Sequence, residues 1–188
     1  MIQTWSQVIA NQIAAGTSLN TYTTAKSVIN PQALVSLPPN YLFPGKQLRV
    51  TAVMGISNVV TSQRTFTFQV MCGTIVVWTS GAITTTTTAH TLIPAKLVVD
   101  LRVDSVGSGT AAKFLGQGIL TGQMWVYSGA TADSTAGLAT LMVPNTTPAV
   151  GTGFDSTIAN VLDFWVGLSA SESTTGLQVF EYYVEDLN

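Results

Sequence analysis

Few side chains in this sequence are suited to catalysis or metal binding. His90 is the single histidine and Cys72 the single cysteine among 188 residues. A zinc site needs several histidine or cysteine ligands, and a general base needs partner groups within hydrogen-bond reach. Cys72 alternates with apolar residues, as a small buried residue does, and His90 follows a threonine run as a loop residue would. We therefore predict no metal site and no cofactor.

The carboxylates are spaced as surface groups. Asp100 and Asp104 fall on the outward side of one predicted strand, with Arg102 between them. A glycosidase would instead direct two acids into one cleft. Asp155 lies in a glycine-containing segment and is interpreted as a turn residue, because a calcium loop needs several oxygen ligands close together. The G-x-S-x-G motif of α/β-hydrolases is absent, and no glycine-rich loop opens a helix. The sequence therefore predicts no enzymatic activity.

The elements that position these residues are short strands with a period of two. Apolar and polar residues alternate at 47–54, 64–72 and 163–168, and Gly, Pro and Asn separate these runs. The pattern predicts eight to ten strands and an all-β, jelly-roll-like antiparallel β-sandwich. The clearest run is 96–104, whose predicted inward residues are Leu97, Val99, Leu101 and Val103.

The composition excludes several classes of protein. Net charge is −2, and the basic residues are scattered singly, which does not favour nucleic-acid binding. No apolar run approaches the ~20 residues of a membrane helix. No basic residue precedes Lys26, so a signal peptide is not expected. We therefore expect the protein to be made in a cytoplasm. Charged residues make up 9%, against about 25% in an average domain, which favours surfaces covered by neighbours.

The first 20 residues differ from the rest of the chain. Thr4 begins a segment with the spacing of a helix capping box, and four apolar residues could line one side of a short helix. We predict a docking arm at 1–20 and a sandwich domain at 21–188; a frayed tail is the alternative. The four apolar residues, proposed to contact a partner, are Ile2, Trp5, Ile9 and Ile13.

The final run, 176–187, alternates apolar residues on both sides. Phe180, Tyr182 and Val184 share one predicted face. Leu177, Val179 and Tyr183 share the other. A strand that is apolar on both faces is expected to be covered on both sides, by the core and by a second surface. Tyr183 is therefore a further candidate for partner contact.

Two other features concern the surface. Trp78 and Trp165 fall opposite the apolar faces assigned to their strands. Exposed tryptophans would suit stacking on a sugar ring, but a position in the core or at a subunit interface is favoured. The threonine run at 84–88 is predicted to be an exposed loop or strand edge.

The order of these segments resembles a family of β-sandwich virion proteins of tailed double-stranded DNA phages. The resemblance spans about 22–188 and is carried by 42–52, 66–70, 75–83, 114–118, 150–155 and the C-terminal aromatic strand. It implies a capsid decoration or cement protein, made in the host cytoplasm, that binds the major capsid protein at the capsid surface. The matched motifs carry turns and core positions, so no functional residue is transferred.

Together with the low charge, the resemblance indicates a homo-oligomeric structural protein, dimeric or trimeric. The alternative function is that of a tail-associated receptor-binding or carbohydrate-binding protein.

Overall fold

The computed structural model describes residues 6–58, 63–126 and 139–187. In these segments the chain forms two antiparallel sheets packed as a sandwich, which confirms the predicted fold class. Sheet A contains, in spatial order, β1 (Gln7–Asn11), β13 (Gly176–Asp186), β5 (Gln47–Asn58), β8 (His90–Ser105), β9 (Lys113–Gly122) and β11 (Ala139–Val143), with β2 (Leu19–Asn20) also paired to β13. Sheet B contains β10 (Trp125–Val126), β7 (Ile75–Thr85), β6 (Thr65–Cys72), β12 (Asn160–Leu168) and β3 (Lys26–Ser27), with β4 (Val35–Leu37) also paired to β12.

The described chain thus has 13 strands, more than the eight to ten predicted, because several are only two or three residues long. Its helical content is one 3₁₀ turn at Pro31–Ala33, where the side chain of Asn30 accepts a hydrogen bond from the backbone of Gln32. No helix in the described segments is long and apolar enough to cross a membrane.

The predicted inward faces are correct on four strands. Every second residue is buried in the shared core over 48–56 of β5, 66–72 of β6, 95–103 of β8 and 162–168 of β12, as the period of two requires. The turn between β6 and β7 is two residues long, and Gly73 adopts a positive φ of 61° there. The inward residues named from the sequence on β8 are all buried: Leu97, Val99, Leu101 and Val103.

Aromatic rings join the two sheets through the middle of the core. The rings of Phe68 and Phe164 stack with centroids 6.1 Å apart, and Phe164 stacks on Tyr182 of sheet A at the same distance. Trp125 meets Phe68 edge-on at 5.9 Å. Offset and edge-on contacts of this kind add to the energy of apolar burial.

The predicted N-terminal helix is wrong over the described residues. Gln7–Asn11 is a strand that pairs with β13, and Leu19–Asn20 pairs with the same strand. Between them the backbone N–H of Gln12 donates to the carbonyl of Tyr182 at 2.8 Å. A short helix is marginal by itself, whereas the edge of β13 offers a row of backbone partners. Residues 7–11 and 19–20 therefore belong to sheet A, and the strands begin earlier than predicted.

The prediction that β13 is apolar on both faces is also wrong. A bulge between Val179 and Glu181 inserts one extra residue, so the alternation changes side there. Leu177 and Val179 face the core before the bulge, and Tyr182 and Val184 face it afterwards. Phe180, at the bulge, is exposed.

One of the two surface predictions needs correction. Trp78 is buried, in agreement with the favoured core position, and the partly buried Trp165 donates from Nε1 to Oδ2 of Asp163 at 2.6 Å. In the threonine run, Thr85 and Thr86 are buried rather than exposed. Their burial follows from position, because Thr85 ends β7 and its hydroxyl accepts a hydrogen bond from the backbone of Arg64.

Candidate functional site

The two residues with the most reactive side chains lie in different sheets. Cys72 ends β6, is buried and unpaired, and has a thiol pKa that burial raises to about 12. His90 begins β8 and pairs in register with Asn58. Among the described residues, no group of three or more His, Cys, Asp or Glu side chains is placed to hold a metal ion.

The carboxylates named from the sequence lie where they were predicted. Asp100 is exposed and accepts a two-pronged ion pair from Arg49, with Nε–Oδ1 at 2.7 Å and Nη2–Oδ2 at 3.1 Å. Asp155 accepts hydrogen bonds from the hydroxyl and the backbone N–H of Thr157, and these lower its pKa. These carboxylates therefore act as surface and turn groups.

An apolar row crosses the outer face of sheet A. Strand register places one outward residue from each of five neighbouring strands side by side. With neighbouring strands ~4.8 Å apart, the row spans about 19 Å. Ile119 and Met142, at one end, are 44% and 50% exposed. This apolar row consists of Tyr183, Thr51, Val98, Ile119 and Met142, of which Thr51 is polar and only 1% exposed.

Charged side chains lie on both sides of the apolar row at its Tyr183 to Val98 end. On one side the register aligns Glu185, Arg49 and Asp100. On the other side it aligns Glu181 with Val53 and Val53 with Lys96. An apolar centre with a charged border is the usual anatomy of a protein–protein interface. The outer face of sheet A is therefore our candidate interaction surface.

The partner-contact residues predicted from the sequence are only partly brought together. Tyr183 lies in the apolar row. Ile9 packs against the core from β1, and Ile13 follows β1 with 80% of its side chain exposed. Ile2 and Trp5 lie outside the described residues. The sequence analysis missed Ile119 and Met142 as partners, because their contact depends on the pairing of β9 with β11.

A second candidate site is a polar pocket at one end of the sandwich, with a volume of about 420 Å³. Asn58 is 3% exposed, and its Nδ2 donates to the carbonyl of Thr86 at 2.9 Å. Within the part of the chain that the structure describes, its Oδ1 has no hydrogen-bond partner, and neither has the buried Nε2 of His90. Both residues line this polar pocket, together with Ser57, Thr91, Ser173 and Thr174.

The loop that supplies Ser173 and Thr174 is held by an ion pair. Arg64 donates from Nε and Nη2 to the two carboxylate oxygens of Glu172, at 2.7 and 2.8 Å. The hydroxyl of Thr175 also donates to Glu172. The hydrogen bonds from Arg64 and then Thr175 hold the pKa of Glu172 at about 2, below its usual value. This anchored loop forms one wall of the polar pocket.

Comparison with known proteins gives a likeness in structure alone. No protein-family model matches the sequence, and no curated protein matches it either. One similar solved structure is the CBM2 module of the evolved Dit of Lactobacillus casei BL23 phage J-1. The TM-score is 0.40 at 10% sequence identity, over 100% of this chain and 98% of that chain.

Proposed function

We propose that the protein is a non-enzymatic structural protein of a phage particle, a decoration or cement protein that binds the outside of the major capsid shell. The observation that carries this proposal is the apolar row with its charged border on the outer face of sheet A. Burial of Ile119 and Met142 against a partner favours association, and the bordering charges select its orientation. The resemblance of the sequence to phage sandwich proteins supports the choice of the major capsid protein as partner.

Such a protein works by repetition. One copy contributes a modest binding energy, but a shell presents the same site many times, and linked copies gain effective concentration. We further propose that the isolated protein self-associates as a dimer or trimer. The low content of charged residues, 9%, supports this, since few charges oppose contact between copies.

The docking proposal is tested by placing charges in the apolar row. The double variant Ile119→Glu/Met142→Glu adds two carboxylates to exposed positions, so the sandwich should still fold. We expect its binding to shells that lack the protein to weaken at least tenfold in co-sedimentation. The matched control is Ile158→Glu/Val161→Glu, which changes two exposed apolar residues. Ile158 lies just before β12 of sheet B, and Val161 is its second residue. Equal binding by both double variants would overturn the assignment of this face.

The alternative is a tail-associated receptor-binding or carbohydrate-binding protein, and the polar pocket is the observation that favours it. Location in the particle separates the two functions. Immunogold labelling over the whole head, with hundreds of copies per particle, would support decoration. Labelling of tails only, with about a dozen copies or fewer, would replace decoration with the alternative.

A further inference from the structure

We propose that the polar pocket is a binding site for a neutral saccharide, with Phe180 as an aromatic platform at its rim. This inference is independent of the capsid docking proposed above, because the pocket and the apolar row use different residues. It gives the carbohydrate-binding alternative a specific site.

Unsatisfied buried atoms are the first observation. Buried polar groups are nearly always hydrogen-bonded, and each one left without a partner is costly. Asn58 Oδ1 and His90 Nε2 both lack partners among the described residues, as does the hydroxyl of the buried Thr86, whose carbonyl accepts a hydrogen bond from Asn58. Asn58 is therefore fixed through its amide nitrogen, while its buried oxygen receives no hydrogen bond from the described residues.

Hydroxyl groups surround these atoms. Ser57 Oγ accepts a hydrogen bond from the backbone of Leu92 at 3.0 Å, so its own proton is available for donation. Thr91, Ser173 and Thr174 add further hydroxyls to the lining. Each hydroxyl can donate and accept, which matches the hydroxyls of a sugar.

The charge of the site indicates a neutral ligand. Among the residues of 6–58, 63–126 and 139–187, the side chains that line the polar pocket include no Lys, Arg, Asp or Glu. Arg64, which anchors the neighbouring loop, has its guanidinium engaged by both carboxylate oxygens of Glu172. A phosphate or carboxylate ligand would need a cation to offset its desolvation, whereas a sugar would not.

Phe180 provides an apolar surface beside these hydroxyls. The bulge in β13 turns the ring outward, 47% exposed, across Gly55. A Cβ at Gly55 would lie 2.7 Å from ring atom Cε2 of Phe180 and 3.3 Å from the Cα of Leu92, so glycine leaves room for the ring. Ser57 is two residues further along β5, about 7 Å away. The C–H face of a sugar ring could pack on Phe180 while its hydroxyls reach the pocket.

The backbone at Leu92 supports the same location. Its φ is 50°, a left-handed value that is uncommon for a residue other than glycine. Backbone strain of this kind persists where the surrounding structure imposes it, and it is frequent at binding sites. Here it accompanies the hydrogen bond from Leu92 to Ser57, which orients the Ser57 hydroxyl.

The test is an NMR titration of the full-length, ¹⁵N-labelled protein with glucose, galactose, rhamnose and N-acetylglucosamine, and with glycerol phosphate as a charged probe. We expect at least one sugar to cause saturable shifts at Asn58, His90 and Ser173, with a dissociation constant on the order of 1 mM. Glycerol phosphate should cause weaker shifts. Tighter binding of glycerol phosphate would overturn the assignment of a neutral ligand.

Three variants locate the binding energy. His90→Ala, Thr174→Val and Phe180→Ala should each weaken sugar binding about three- to tenfold. The matched controls are Thr152→Val and Phe43→Ala, which alter exposed residues elsewhere. Phe43 is 49% exposed, a fraction similar to the 47% of Phe180. Phe180→Ala and Thr174→Val change exposed side chains, so a preserved amide spectrum will show that the fold is intact.

The saccharide site can be overturned without affecting the docking proposal. No shift with any sugar at 50-fold the expected constant, or equal weakening by the control variants, would overturn the saccharide site. The variant Ile119→Glu/Met142→Glu should keep sugar binding, and Phe180→Ala should keep binding to shells.

Discussion

The outer face of sheet A and the outer face of sheet B are built on the same alternation but present different chemistry. The apolar row of sheet A ends in two half-exposed aliphatic side chains, Ile119 and Met142. The corresponding row of sheet B aligns Ser27, Trp165 and Gln69 in register. Trp165 donates to Asp163, so its polar group is satisfied within the protein.

This difference separates what holds the fold from what contacts a partner. The inner faces of both sheets are apolar and buried to a similar extent, since Leu101 of sheet A and Phe164 of sheet B are both fully buried. Folding therefore does not distinguish the two sheets. The outward residues differ: sheet A pairs two exposed aliphatic side chains across neighbouring strands, whereas the sheet B row centres on Trp165, whose polar group is bonded within the protein. The exposed Ile158 and Val161 of sheet B lie apart from that row, before and at the start of β12.

The largest effects are expected from the inner faces, which both sheets share. Leu101→Ala should cost about 2–5 kcal/mol of unfolding free energy and Phe164→Ala about 3–5 kcal/mol, from lost burial and a remaining cavity. Val98→Ala, on the outer side of the same strand as Leu101, is the control and should cost less than about 1 kcal/mol. Urea denaturation measures all three. A cost at Val98 equal to that at Leu101 would mean that the outer face is part of the core.

A smaller effect is expected where sheet A is extended by its N-terminal edge strand. The buried side chain of Gln12 donates to the carbonyl of Val179 and accepts from the backbone of Asn30, both at 2.9 Å. Gln12→Ala leaves the backbone N–H of Asn30 without its acceptor, while the carbonyl of Val179 keeps the hydrogen bond from the backbone of Gly16. The variant should cost about 1–3 kcal/mol of unfolding free energy. The exposed Gln32→Ala is the control and should change the free energy by no more than about 0.5 kcal/mol.

Removal of residues 1–20 tests the stability contributed by the same edge of sheet A with a larger change. The deletion takes away β1 and β2 and leaves one edge of β13 unpaired, so we expect lower stability and a tendency to aggregate. A truncated protein as stable as the full chain would show that this edge contributes nothing to the fold.

Sequence periodicity predicted the inner faces because burial selects residues at every second position, as at Leu97 and Val99. It failed at Phe180, since a single-residue bulge reverses the alternation without a distinctive residue type. It also failed at Ile9, where helical spacing was outweighed by the open edge of β13. The contact between Ile119 and Met142 depends on strand register, which no local pattern encodes.

The polar pocket was missed for a similar reason. Asn58 and His90 are 32 positions apart in the printed sequence and meet through the pairing of β5 with β8. Ser173 and Thr174 come from the loop before β13, in which no residue type or spacing predicts a site. Long-range pairing therefore creates both candidate sites from residues that are unremarkable individually.

The smallest expected effect concerns the ion pair between Arg64, next to sheet B, and Glu172, next to sheet A. The folded-state pKa of Glu172 is about 2 and its ordinary value is 4.5, so the unfolded chain takes up the proton first as pH falls. The stabilisation is therefore complete above about pH 4.5 and is lost between about pH 4.5 and about 2. Glu172→Gln should reduce the change in urea midpoint across this range, whereas Glu181→Gln, on the exposed outer face of sheet A, should leave it unchanged. Because the pair is partly solvated, salt should reduce the difference. An unaltered pH profile in Glu172→Gln would mean that this pair does not join the two sheets energetically.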